Sequence, residues 1–158
     1  MDRQARKTAL RLFSYGLYAV TSRELETRNA FTANWLSQAS FEPPIVMVSV
    51  ERDSVSLGMI RRTGRFGVSV LPVGARELAG RLGHSLAKRP DKLAGLVLDD
   101  SPGGLPVLAD AAGWLECRLV GEIAAGDSSL LLGEVVDAGV HSDVPALTMR
   151  EAGFRHAG

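Results

Sequence analysis

Apolar residues recur along this chain with two periods, and the switches between them divide it into elements. In residues 3–13, Ala5, Ala9, Leu12 and Phe13 fall close to one face, so the spacing predicts a short amphipathic helix. "YGLYAVTS" (15–22) is rich in β-branched and aromatic residues and reads as a strand. "RELETR" is a charged turn, and "NAFTANWL" (29–36) a second strand, hairpin-paired to the first. Pro43-Pro44 then stiffens the entry to "IVMVSV" (45–50), because proline lacks an N–H and biases its predecessor to extended geometry. In "SVSLGMIRRTG" (54–64) Leu57, Ile60 and Arg61 return to helical spacing. Ser54 stands where an N-cap belongs and Gly64 where the helix should stop.

"RFGVSVL" (65–71) is a strand and "GARELAGRLG" (74–83) a short helix. Residues 84–113, punctuated by Pro90, Pro102, Pro106 and several glycines, form a long irregular excursion of the kind that often carries function. "WLECRLVGEIAAG" (114–126) and "SLLLGEVVDAGV" (129–140) are long strands joined at Gly126-Asp127-Ser128, a tight turn. "PALTMREAGFRHAG" closes the chain as a polar tail with apolar anchors. About six strands in hairpin-like pairs, with no crossover helix between the last two, predict a mainly β protein: an antiparallel barrel or sandwich with short peripheral helices. The 158 residues show no internal repeat and no linker, so one domain is expected.

Composition narrows the chemistry by exclusion. With 18 basic and 18 acidic residues the formal net charge is +0, which leaves no field to hold nucleic acid or an anionic membrane. The single cysteine, Cys117, can form neither an internal disulfide nor a cysteine cluster; with no signal-peptide core or membrane span, a soluble cytoplasmic protein is expected. His84, His141 and His156 are far apart and show no metal spacing. There is no G-x-S-x-G elbow, no P-loop and no dinucleotide glycine fingerprint, so no catalytic side chain is assigned. Asp99-Asp100 and "AKRPDK" read as a solvated turn and a solvated loop, and Cys117 as a small buried residue.

One stretch stands apart. Between Asn29 and Phe41, small and hydroxylated residues alternate with Phe31, Trp35 and Phe41 just before a buried strand. Bulky side chains would block backbone groups from the edge of a flat heteroaromatic ligand, whereas alanine, serine and threonine let it approach. Thr32, Asn34 and Ser40 add side-chain hydrogen-bonding groups. Next, "ERDSVS" (51–56) leaves a strand and enters a helix, where Arg52, Ser54 and Ser56 could hold a phosphate. The plainer alternative is a half-buried strand followed by an ordinary capped helix.

The blocks "NAFTANWLSQASFEPPIVMVSVERDS", "GRFGVSVL", "WLECRLVGEIAAGDSSLLLGEVVDAG" and "PALTMREAGF" resemble, in order over roughly residues 12–155, the flavin reductase-like family. "GRLGHS" and the "LTMREAGF" ending are most similar to its flavoredoxin and rubredoxin-linked branch. The resemblance implies a six-stranded Greek-key split barrel, a homodimer, and FMN (or FAD) near the dimer interface, with NAD(P)H as co-substrate. By the same resemblance the flavin ring would lie along Phe31, Thr32, Ala33, Asn34, Trp35 and Ser40, with Ser49 and Val50 beneath it. Arg52, Ser54 and Ser56 would face the phosphate, and Gly83, His84 and Ser85 would close over the cofactor. Many members carry histidine immediately after the Gly-Asp or Gly-Thr of the final hairpin, beside the nicotinamide site; here that position is Ser128, which does not titrate near neutral pH.

Three functions follow as expectations. The first is a flavin-dependent oxidoreductase passing electrons from NAD(P)H to free flavin, oxygen or a protein acceptor. The second, favoured by Ser128, is an FMN-binding electron carrier with little NAD(P)H activity. The third is a ligand-binding or assembly module that keeps the barrel without redox chemistry.

Overall fold

The structure is a computed structural model, and it describes residues 1–155; His156 and the two residues after it lie outside the described part. Helix α1 (Arg3–Arg11) is capped by Asp2, whose carboxylate accepts from the N–H groups of Gln4 and Ala5. No residue of α1 is buried. Strands β1 (Tyr18–Glu24) and β2 (Thr27–Ala33) form the expected antiparallel hairpin, in register from Tyr18 opposite Ala33 to Glu24 opposite Thr27.

The expected charged turn at 23–28 is mostly strand, and only Leu25 and Glu26 turn. The charges tolerate this because they find partners: Arg23 and Arg28 pair with Asp100, and Arg62 grips Glu24 through Nε at 2.6 Å. Leu25 adopts a left-handed φ of 52° while its side chain is exposed, so it bears backbone strain with no compensating packing. Leu25→Gly is therefore expected to stabilise the fold by about 1 kcal/mol, raising Tm by roughly 2–4 °C in a thermal melt.

After β2 the chain crosses to the opposite edge of the sheet. There β3 (Leu36–Ser40) and β4 (Ile45–Glu51) form a second hairpin, joined by a loop in which Glu42–Pro43 is cis. Helix α2 (Val55–Thr63) follows, with Ser54 as N-cap and Gly64 ending it at φ 69°. Then come β5 (Arg65–Val70) and α3 (Arg76–Leu82). Beyond the excursion, β8 (Gly113–Ala125) and β9 (Ser128–Val140) form the long hairpin, and α4 (Met149–Ala152) closes the described chain. Within the excursion, β6 (Leu98–Asp100) and β7 (Pro106–Leu108) pair as a separate small hairpin. It was expected to be irregular throughout; three-residue strands around Pro102-Gly103-Gly104 are too short to leave a periodic signal.

The main sheet runs β2-β1-β5-β8-β9-β4-β3, with every pairing antiparallel. It has seven strands rather than six, because the strand expected over 29–36 ends at Ala33 and the chain beyond Asn34-Trp35 forms a further strand, β3. The sequential strands β2 and β3 sit at opposite ends of that order, so the sheet curls and its two edges meet across the Asn34-Trp35 crossing. The Trp35 carbonyl accepts from Ser49 N–H at 3.0 Å, tying the crossing to β4. This is the split barrel, mainly β, that the strand pattern and the resemblance point to.

Two apolar clusters hold it. Inside the barrel, Val20, Val48, Val50, Leu57, Ile60, Phe66, Leu131 and Cys117 pack together. On the far side, Leu17, Leu71, Leu82, Leu108 and Leu147 pack beneath α3 and α4. Gly133 lies against Phe66, and a Cβ there would overlap the ring, which explains glycine inside a long strand. Burial, then the Glu116 charge, pushes the Cys117 thiol up to about 12, so it is no nucleophile at neutral pH.

Glu116 anchors the excursion. Its carboxylate accepts from Ser101 Oγ at 2.6 Å and Gly103 N–H at 2.9 Å, and pairs with Arg65. Burial would raise its pKa, but these donors outweigh it and the net shift is downward. A carboxylate with a lowered folded pKa contributes stability above its ordinary pKa and loses it as pH falls through the folded value. Glu116→Gln is expected to cost on the order of 1 kcal/mol at neutral pH, discounted because Arg65 is partly exposed. Urea melts should show that difference shrinking in acid.

Candidate functional site

A cleft of about 770 Å³ opens where the barrel splits, within the size range of small-ligand sites. One wall is the end of β2 and the crossing, Phe31 through Trp35. The floor is the end of β4, with Ser49 half-buried and Val50 fully buried. A second wall is the N-terminus of α2, with Ser54 and Ser56. Above lie Ala79 and Gly80 of α3 and the segment Gly83 to Ala87. Thr32 fixes that roof, its hydroxyl donating to the Ala79 carbonyl at 2.6 Å.

Of the residues singled out from sequence, Phe31, Thr32, Ala33, Asn34, Trp35, Ser49, Val50, Ser54, Ser56, Gly83, His84, Ser85 and Ser128 line this one cleft. Ser40 and Arg52 do not. Ser40 lies on the edge strand β3 beyond a register shift, and Arg52 is exposed, its N–H donating to the Asp127 carbonyl at 3.1 Å.

The two serines differ in a way that sequence could not show. Ser54 Oγ accepts from Leu57 N–H at 3.2 Å and donates to the Glu51 carbonyl at 2.8 Å, so its hydroxyl is occupied as a helix cap. Ser56 Oγ accepts from Asn29 Nδ2 at 2.8 Å, leaving its own proton to donate. The N–H groups of Val55 and Ser56 have no acceptor among the described residues, so the α2 N-terminus presents unsatisfied donors.

Two side chains of the cleft also carry buried groups without a partner among the described residues: Asn29 Oδ1 and Asn34 Nδ2. Leaving a buried amide group unpaired costs about 1–3 kcal/mol. A ligand with an acceptor and a donor on its rim would recover that cost, which is the pattern a flavin ring offers.

Sequence reasoning missed three contributors. Asn29 carries no local signal, because its partner Ser56 is distant in sequence. Arg155, from the chain end, also reaches the cleft. Lys92 is the clearest correction: its neighbours in "AKRPDK" are exposed, but Lys92 itself is only 2% exposed and lines the cleft. Its Nζ donates to the His84 carbonyl at 3.0 Å, and burial pulls its pKa down.

Ser128 is also corrected in position. The turn between β8 and β9 is Gly126-Asp127 alone, with Gly126 at φ 64°, and Ser128 is already the first residue of β9. It is buried, bonds Asp127 Oδ1 at 3.1 Å, and faces the cleft instead of projecting outward. Asp99 and Asp100 lie in β6, not in a turn. Among the described residues no group of acidic, histidine or cysteine side chains could hold a metal ion, and no helix is long and apolar enough to cross a membrane.

The described residues thus form an antiparallel barrel split over a cleft with a small-residue wall, orphaned amide groups and open N–H groups at a helix start. The chain belongs to the flavin reductase-like family, whose domain model, "Flavin reductase like domain", matches residues 10–158. It is 36% identical over 137 residues to the high molecular weight rubredoxin of Moorella thermoacetica, covering 84% of this chain and 58% of that protein. The chain thus spans little more than half of that longer relative. It is 31% identical to the ferric-chelate reductase (NAD(P)H) of Archaeoglobus fulgidus, over 85% of this chain and 81% of that one. The solved structure of flavin reductase PheA2 superposes with a TM-score of 0.84 at 26% identity, covering 100% of this chain and 99% of that one.

Proposed function

We propose that the cleft holds FMN and that the protein is a flavin-dependent oxidoreductase, taking electrons from NAD(P)H and passing them to free flavin, oxygen or a protein acceptor. The observation that carries this reading is the convergence of Asn29 Oδ1, Asn34 Nδ2, the open N–H groups of α2 and the buried Lys92 on one cleft. In this reading the ring lies along Phe31 to Trp35 over Ser49 and Val50. The phosphate sits at the start of α2, with Ser56 and Lys92, while Ser54 acts through the cap. Gly83, His84 and Ser85 cover the top and shed water. A bound flavin would supply the redox chemistry, accepting electrons in pairs and releasing them singly or in pairs. The chain's own part is to position that ring, complement its edge and limit solvent access. No side chain is required to move a proton in this reading; Lys92 serves to hold the anion.

The names of relatives support this reading: one is an NAD(P)H-dependent reductase and another is a rubredoxin, which suggests a redox protein as acceptor. Ser128 supports the electron-carrier alternative, in which FMN binds but NAD(P)H reacts poorly. FMN titrated into the purified protein should bind with a perturbed visible absorption. A protein that binds no flavin would leave only the module without redox chemistry.

A homodimer is part of the proposal. Helix α1 buries nothing in the single chain, and Phe41, Val120, Ile123 and Val140 are exposed. A second copy would cover such apolar surface. Light scattering on the FMN-loaded protein at micromolar concentration is expected to give twice the chain mass; a stable monomer would remove this part of the reading.

A further inference from the structure

Lys92 lies in a segment whose own backbone ties it to little else. Among the described residues, the backbone hydrogen bonds of 85–96 close within the segment: Lys88 and Arg89 donate to Ser85, Lys92 to Arg89, Ala94 to Asp91 and Leu96 to Leu93. Leu93 and Leu96 rest against the apolar cluster beneath α3. Hydrophobic contact is non-directional, so it holds the segment down without deciding which way a side chain faces. Yet Asp91 is exposed, whereas Lys92 beside it is 2% exposed and lines the cleft.

The side chain of Arg81 supplies the missing direction. Its Nη2 donates to the Asp91 carbonyl at 3.1 Å and to the Ala94 carbonyl, so the two bonds bracket Lys92 along the chain. Arg81 pairs with no acid among the described residues, and its Nε is buried without a partner there. The two carbonyls therefore place the guanidinium, with no carboxylate competing for it. Helix α3, which carries Arg81, is itself pinned twice. Arg76 Nε donates to the Ala152 carbonyl at 2.6 Å, and Thr32 of the cleft wall donates to the Ala79 carbonyl at 2.6 Å. A continuous set of bonds thus runs from the wall through α3 and Arg81 to the turn that bears Lys92. Arg81 does not line the cleft.

We infer that Arg81 is a positioning residue for anion recognition: it clamps the 91–94 turn so that the Lys92 ammonium stands at a set distance from the wall along which the ring lies. This rests on the flavin reading above. Because one helix places both the wall and the cation, the clamp favours a phosphorylated flavin over the bare ring.

The test uses the full chain with Arg81→Met, Arg81→Lys, Lys92→Met and the double variant Arg81→Met/Lys92→Met. Both bonds leave one nitrogen, so a lysine ammonium with its three donors can remake them, and methionine cannot. FMN and riboflavin affinities are measured for each protein. Arg81→Met is expected to weaken FMN about tenfold and riboflavin by less than about twofold, with Arg81→Lys recovering FMN to within roughly threefold of wild type. Once Lys92 is methionine, Arg81→Met should cost nothing further, because Arg81 acts through Lys92. Additive losses, equal losses for the two flavins, or no loss overturn the inference. A second readout needs no flavin. The lysines are labelled with an amine-selective reagent and followed by mass spectrometry, with the exposed Lys88 as internal reference. Lys92 should label slowly in wild type and Arg81→Lys, and about tenfold faster in Arg81→Met with Lys88 unchanged. Unchanged Lys92 labelling overturns the inference whatever the flavins do. If wild type binds neither FMN nor riboflavin, the flavin reading fails, while faster labelling of Lys92 in Arg81→Met still supports the clamp.

Discussion

Lys92→Met is expected to weaken FMN binding by roughly tenfold to a hundredfold while leaving riboflavin nearly unaffected. Riboflavin has the same ring without the phosphate, so the comparison isolates the anion. A charge-assisted hydrogen bond in a buried setting is worth about 1.5–3 kcal/mol, which converts to that range. Methionine keeps most of the apolar stem and removes the charge, along with the hydrogen bond from Nζ to the His84 carbonyl. The same substitution should stabilise the flavin-free protein. Burial lowers the Lys92 pKa, so the buried charge is disfavoured in the fold. The sign follows: between the lowered folded pKa and the ordinary lysine value the unfolded chain holds more protons, so stability rises with pH there, and below it the cost of burying the charge is fully present. Weaker ligand binding joined to a higher Tm is a combination that mere structural damage does not produce. Equal losses for FMN and riboflavin would instead place Lys92 at the ring, and no loss for either would remove it from the site.

Ser128→His is expected to speed reduction of the loaded protein by NAD(P)H about tenfold. That corresponds to roughly 1.4 kcal/mol of transition-state stabilisation, within reach of one well-placed contact. Ser128 is buried at the start of β9 and borders the cleft, so an imidazole there enters the ligand space directly. The cleft, at about 770 Å³, has room for it. Stopped-flow reduction of wild type and variant without oxygen is the measurement. Fast wild-type reduction, unchanged by the substitution, would show that nicotinamide use here does not need that position, and the electron-carrier reading would lose its support.

Much of the fold was legible because its signals are local. The helix at 54–64 showed itself through a serine cap, helical spacing and a terminal glycine, and the structure has α2 from Val55 to Thr63 with those roles filled. The β8–β9 hairpin was marked by glycine and aspartate between two long strands. What stayed hidden depends on contacts between distant segments. The break at Asn34-Trp35 arises because the sheet's two edges must meet there, a property of barrel closure rather than of any short window.

The site divides along the same line. The small-residue wall from Phe31 to Trp35 was visible because its composition is unusual for a buried neighbourhood. Lys92 was not, because a lysine in a charged run looks solvated, and only the fold of the excursion returns it beneath His84. An arginine beside a helix start suggests a phosphate ligand, but Arg52 sits in the turn after β4 with its side chain exposed. Ser54 was assigned to the phosphate when its hydroxyl is committed to Leu57 and Glu51.

Anaerobic mixing of FMN-loaded protein with NADH and with NADPH, followed by visible absorption, shows whether this cleft binds a flavin that NAD(P)H can reduce. The flavin absorption is expected to bleach with at least one of the two, more slowly than with a chemical reductant, and to return when oxygen is admitted. A bound flavin that a chemical reductant bleaches but neither nicotinamide nucleotide touches would contradict the reductase and leave the electron carrier.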